Sequence, residues 1–183
     1  MSSSWFSQTL SELQLEKPHV FVETGSYMGN GINNVKDEFR LIYSIELSQN
    51  LYSNCKELFS NQSNICLLIG DSPEVLSELA IDIDEPALFY LDAHYSGGET
   101  AFGKEEDKGC PVLRELEAIG KRTHKDIVII GNMRLFGRVN SVEGLENELD
   151  FTHITQQKMF ETYNRNCNIY FANNIDRIIL VPV

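Results

Sequence analysis

Along most of this chain, near-continuous apolar runs alternate with polar stretches of helical period. Residues 19–24, HVFVET, are apolar and β-branched and predict a buried strand. LIYSIEL (41–47), NICLLIGD (64–71), PALFYLDAH (86–94) and DIVIIGN (126–132) predict four more. Between them, 32–39 and 47–60 read as helices, and a further helix opens at Ser72-Pro73-Glu74, with serine as cap and proline in the first turn. Helical stretches are also expected from Cys110, near 141–149 and over 155–166. Residues 1–17 form an N-terminal amphipathic extension with Trp5, Leu10, Leu13 and Leu15 turned inward. NIYFANN and DRIILVPV end the chain as an antiparallel pair that turns near Asn173-Asn174. The alternation predicts an α/β fold: a Rossmann-like, doubly wound, mostly parallel sheet with helices on both faces and a C-terminal antiparallel strand pair.

A chain of 183 residues suits one domain, 1–183, with a sizeable core. Hydrophobic residues at 42% and charged residues at 23% are those of a globular protein. No apolar run approaches bilayer length, and the N-terminus lacks the basic and apolar regions of a secretory signal. Cys55, Cys66, Cys110 and Cys167 are scattered without a CxxC pair, which suits free thiols in a reducing compartment. A cytoplasmic protein with no membrane partner is the expectation. The net charge of −12 repels a phosphate backbone, so nucleic acid is not expected as a partner. The densest basic stretch, Lys121–Lys125, reads as a solvated connection.

Ligands of such sheets sit at the carboxyl ends of the strands, where strand order reverses. That rim collects Glu23–Gly31, Glu46, Asp71, Asp92–Tyr95 and Gly131–Arg134. A dinucleotide-binding turn requires G-x-G-x-x-G after the first strand. Counting from Gly25, Tyr27 and Met28 occupy the positions of a glycine and a free residue, and glycines recur at Gly29 and Gly31. This disfavours a nicotinamide-dependent oxidoreductase. The observed pattern, E-x-G-x-x-x-G-x-G, resembles the first motif of class I S-adenosylmethionine-dependent methyltransferases. With LDAHYSGG and I-I-x-N-x-R-L-F-G, the chain looks similar to small O-methyltransferases of the macrocin O-methyltransferase type.

That resemblance implies an enzyme that methylates a hydroxyl of a small or sugar-like acceptor. It assigns S-adenosylmethionine to Glu23, Gly25, Ser26, Gly29, Glu46, Leu47, Asp71, Ser72 and Asp92. Glu23 would hold the cofactor's ammonium directly or through water, Glu46 both ribose hydroxyls and Asp71 the adenine amino group, with Leu47 covering one face of the adenine. The glycines at 25 and 29 would admit the cofactor close to the backbone. Asp92 and His94 are the catalytic candidates; His94 serves either as the base or as an anchor for the glycine-rich loop 95–109, which reads as a substrate lid. Tyr95 and Arg134 either contact the acceptor or pack.

The resemblance also implies a divalent ion held by an acid after the fourth strand and an Asp-Asp or Asp-Asn pair after the fifth. Asp92 and Asn132 match, but Gly131 stands where an acid belongs. Two oxygen ligands make a poor site for a hard cation unless the substrate adds more. Gly131 also leaves open a relative that binds the cofactor without turning over.

Overall fold

The computed structural model describes residues 4–142 and 148–183. Strands β1 (Val20–Thr24), β2 (Leu41–Glu46), β3 (Ile65–Ile69), β4 (Ala87–Leu91) and β5 (Ile127–Ile130) fall on the five predicted runs. The helices around them are α1 (Trp5–Glu12), α2 (Asn30–Val35), α3 (Gln49–Leu58), α4 (Ser72–Asp82), α5 (Val112–Gly120) and α6 (Gln156–Tyr163). Two residue pairs, β6 (Val139–Asn140) and β7 (Leu149–Asp150), form a small antiparallel ribbon that the hydrophobic pattern does not announce. The helix expected near 141–149 falls mostly outside the described residues, and Leu149 is in strand rather than helix. Strands β8 (Cys167–Ala172) and β9 (Arg177–Pro182) are the terminal antiparallel pair.

One seven-stranded sheet runs β3-β2-β1-β4-β5-β9-β8. The first five strands are mutually parallel, and β9 joins β5 antiparallel. Strand order therefore reverses between β1 and β4. The α/β expectation holds, including the closing antiparallel pair.

Alternation along each strand splits the core in two. Val20 and Val22 of β1, with Phe89 and Val128, pack under α4, α5 and α6. Phe21 of β1, with Ile42, Leu88 and Ile129, packs under α1, α2 and α3. In α1 the buried anchors are Phe6 and Leu10. Trp5, Leu13 and Leu15 lie against that cluster half-buried, so Phe6 takes the place that the amphipathic pattern gave to its neighbours. No helix among the described residues is long and apolar enough to cross a membrane.

Within the basic stretch 121–125, Lys121, Thr123 and Lys125 are exposed as a solvated connection would be, but Arg122 departs from that reading. Arg122 is buried; its Nε donates to Asp126 at 2.8 Å and its Nη atoms reach the carbonyls of Ala80, Ile83 and Glu85. A buried guanidinium with every partner supplied ties the end of α4 to the start of β5. Its charge is spent inside the fold.

Candidate functional site

The loops after β1, β2, β3 and β4 converge on one cleft at the carboxyl edge of the sheet, beside the switch between β1 and β4. Gly25, Glu46, Leu47, Asp71, Ser72, Asp92 and His94 all line it. The described backbone explains each position. Gly25 has φ +81°, and a Cβ there would lie 3.1 Å from the Ala93 Cα and 3.2 Å from the Asp92 carbonyl oxygen. Only glycine lets the chain turn while the β1 and β4 ends lie this close.

Glu46 ends β2 almost buried, and its carboxylate is gripped by two backbone amides. The Tyr27 N–H donates to Oε2 and the Ser48 N–H to Oε1, both at 2.9 Å. Each oxygen keeps a lone pair for a further donor. Leu47 stands beside it, 36% exposed, under Gly103 of loop 95–109. Asp71, not Ser72, stands at the N-cap position of α4; its side chain makes no cap bond there and instead accepts from Arg114 Nη1 at 3.1 Å through Oδ2.

Three of the expected cofactor residues lie behind the cleft rather than in its lining. Glu23 is fully buried; its Oε2 accepts from Ser44 Oγ at 2.8 Å, and a Cβ at Gly31 would strike its carboxyl group. Burial raises the Glu23 carboxyl to about 8; the Ser44 bond opposes this, while Asp92 and Glu46 add to it. The enclosed carboxyl does not itself line the cleft. Ser26 is buried with it, sharing a 2.7 Å hydrogen bond with Ser44. Gly29 is left-handed at the start of α2, and a Cβ there would meet the Phe59 ring at 2.7 Å. Its lack of a side chain serves α2 packing on α3, and it does not line the cleft.

On the β4 side, Asp92 is the hub. Tyr90 Oη donates to its Oδ2 at 2.9 Å and itself accepts from Arg177 Nη2 at 2.8 Å. The Arg177 guanidinium lies over the Trp5 ring at 5.4 Å, so α1 reaches the site through a cation–π contact. Burial raises the Asp92 carboxyl, against the pull of the Tyr90 hydroxyl and of the Arg177 and Arg134 guanidinium groups. His94 Nδ1 lies 3.1 Å from the Asp92 backbone carbonyl. A carbonyl only accepts, so this bond puts the proton on Nδ1 and leaves the Nε2 lone pair available.

The donor set does not fit a divalent ion. Asn132 turns its Nδ2 to Asp92 Oδ1, and its carbonyl oxygen accepts from Arg134 Nη1 at 3.0 Å. The neutral oxygen expected from Asn132 is thus engaged elsewhere. Among the described residues, no group of three or more His, Cys, Asp and Glu side chains is placed to hold a metal.

Loop 95–109 closes the cleft from above. Thr100, Ala101, Phe102 and Gly103 line the cleft, and Tyr95 meets Phe102 edge-on with ring centroids 5.4 Å apart. Tyr95 also lines it, whereas Arg134 is exposed and paired with Asp176. Sequence reasoning passed over Tyr27, Tyr90, Arg114, Glu115 and Arg177. The one signal for Tyr27 was its place inside the glycine turn; the others sit on strands and helices whose register, not spacing, brings them in.

No sequence-family model matches the chain, and no curated protein does. Solved structures do. An SAH-bound methyltransferase of Podospora anserina superposes with a TM-score of 0.60 at 13% identity, over 97% of this chain and 76% of that one. An S-adenosylmethionine-dependent methyltransferase of Clostridium acetobutylicum gives 0.53 at 14% identity, over 96% and 87%. An rRNA methylase of Streptococcus thermophilus gives 0.51 at 13% identity, over 96% and 92%. The chain has the fold of S-adenosylmethionine-dependent methyltransferases.

Proposed function

We propose that this protein is an S-adenosylmethionine-dependent methyltransferase acting on a hydroxyl of a small, sugar-like acceptor. Glu46 carries the reading. A carboxylate at the tip of β2, beside the switch point, has both oxygens oriented by backbone amides and both still able to accept. Such a group suits the paired hydroxyls of a ribose. Leu47 would cover one face of the adenine, and Asp71 would accept from its amino group. Gly25 would face the amino-acid end, with Ser72 and Asp92 completing the wall. Glu23 and Ser26 would act from behind, fixing the glycine turn through Ser44.

The bound cofactor supplies an electrophilic methyl group. The protein has to align the acceptor oxygen and remove its proton. His94 suits that task, because its Nδ1–H is held by the Asp92 carbonyl and Nε2 is left to accept. The Tyr90–Arg177 pair orients the Asp92 carboxylate. No step here runs through a metal. A net charge of −12 favours a small acceptor over a nucleic acid. Four free thiols support a reducing, cytoplasmic setting.

Thermal denaturation with S-adenosylmethionine, S-adenosylhomocysteine, NADH, NADPH and Mg²⁺ tests the reading. S-adenosylhomocysteine is expected to raise the melting temperature, and Glu46→Ala to abolish the rise. An unchanged midpoint at millimolar S-adenosylhomocysteine, or a rise with NADH instead, overturns it.

A further inference from the structure

With loop 95–109 down, the cleft encloses about 180 Å³. Pockets that take ligands of cofactor size run to roughly 300–1,000 Å³. Full entry of a ligand of that size calls for the loop to give way, and what holds it down bears on the access. Phe102 and Gly103 lie over the Leu47 side of the cleft, but they are small or apolar and make no directional bond there. Apart from Lys108 Nζ, which donates to Asp150 Oδ2 of β7 at 2.9 Å, the directional contacts that tie the loop to other elements gather at its foot, around Arg114 on α5.

Arg114 Nη1 donates to Asp107 Oδ2 at 2.7 Å and to Asp71 Oδ2 at 3.1 Å. Its Nε lies 3.6 Å from Glu106 Oε1. Asp107 is nearly buried at the base of the loop and also lines the cleft; Asp71 is the acid at the tip of β3. One guanidinium group thus joins the loop to the opposite wall. Lys104 of the loop closes the same corner, pairing with Glu74 of α4 and lying 3.9 Å from Asp71. Because Arg114 holds only Oδ2 of Asp71, Oδ1 accepts no hydrogen bond among the described residues.

We infer that Arg114 is a positioning residue that couples closure of loop 95–109 to the acid at the tip of β3. It pins the loop through Asp107 and fixes the Asp71 carboxylate so that one oxygen is left for a ligand's donor. The bridge itself is a property of the free protein. Its consequence for the ligand rests on the methyltransferase reading, with Asp71 accepting from an adenine amino group. Loosening the bridge should free the loop and, at the same time, misplace that acceptor.

The test uses the full chain carrying Arg114→Met, which keeps the length without the charge, or Arg114→Lys, which keeps the charge. In the ligand-free protein, backbone hydrogen exchange over 96–108 is expected to speed up about tenfold in Arg114→Met, with the β-sheet unchanged. Arg114→Lys should recover part of that protection. S-adenosylhomocysteine should bind Arg114→Met about tenfold more weakly than the wild type. If loop exchange does not change, the bridge is overturned. If the loop is freed but affinity holds, the coupling is overturned. If the wild type fails to bind S-adenosylhomocysteine at all, the cofactor reading falls, while the loop measurement still decides the bridge. Should Arg114→Met not fold, Asp107→Asn cuts the same link from the loop side and carries the same expectations.

Discussion

The Asp92 carboxylate occupies the space that a side chain at Gly131 would need. A Cβ built on Gly131 would run into Asp92 Oδ1, with Asp92 Cγ only 3.1 Å away and the Leu91 carbonyl oxygen at 3.3 Å. Glycine here is thus a condition for the Asp92 arrangement rather than a lost ligand. Introducing the acid that the metal-dependent pattern expects, Gly131→Asp, should push Asp92 off Tyr90 and Asn132. The cost expected for overpacking a buried site is about 1–3 kcal/mol. Urea unfolding should show that loss, and titration calorimetry should show no gain in Mg²⁺ or Mn²⁺ binding. An undiminished midpoint together with new divalent binding would revive the metal-dependent reading.

Glu115 makes stability depend on pH. It is fully buried on α5; Ser72 Oγ donates to its Oε1, while no hydrogen bond of good geometry reaches Oε2 among the described residues. Burial raises its carboxyl from 4.5 to about 8, with Asp107 and Asp71 adding to the rise and the Ser72 and Thr24 hydroxyls opposing it. The folded state therefore keeps a proton that the unfolded chain releases above its lower pKa. Stability from this group is complete below about pH 4.5 and drains away as pH climbs towards about 8. Glu23, raised by burial to the same level, acts in the same direction. Glu115→Gln copies the protonated form. Its melting temperature should fall less than that of the wild type between about pH 5 and pH 8. Parallel curves for the two proteins would mean that Glu115 is ionised in the fold.

How much of this was legible beforehand differs from link to link. The five parallel strands announce themselves because each is apolar for its whole length, and the sheet's rim then follows from topology. Glu46, Asp71 and Asp92 were readable for that reason: each is the first acid after such a run. The glycine loop misled in part. Gly29 and Gly31 recur at motif spacing, yet their missing side chains answer to Phe59 and Glu23. Glu23 sits in the motif but faces inward, since the alternation of a strand buried on both sides leaves no exposed direction. Arg114 and Arg177 were out of reach, because the site residues they bridge to, Asp71 and Tyr90, lie 43 and 87 positions away in the chain. Arg122 read as part of a solvated stretch because its neighbours are polar; only the fold shows three carbonyls waiting for it.

Gly29 separates packing from ligand contact. Its φ is +77° and its Cβ would meet the Phe59 ring, so Gly29→Ala carries both backbone strain and a clash between α2 and α3. A loss of about 1–3 kcal/mol is expected in denaturant unfolding. Because Gly29 does not line the cleft, folded Gly29→Ala should bind S-adenosylhomocysteine as the wild type does. A large loss of affinity at unchanged stability would put Gly29 back against the ligand.

His94 can be tested for its two readings, base or loop anchor, with a pair of substitutions. Its Nδ1–H bond to the Asp92 carbonyl fixes the ring, while the Asn132 amide approaches the same nitrogen only at 3.5 Å. An anchor needs only the donor, whereas a base needs the free Nε2. Asparagine can supply the donor from a similar position but has no basic nitrogen. His94→Asn should therefore preserve the loop and S-adenosylhomocysteine affinity, yet lower kcat by roughly 10²–10⁴-fold, the usual worth of a general base. His94→Ala should lose the same rate and, in addition, speed hydrogen exchange in the loop. Steady-state methylation of an identified acceptor, set beside exchange over 95–109, separates the outcomes. Near wild-type turnover in His94→Asn would leave the histidine as an anchor and move proton removal to another group.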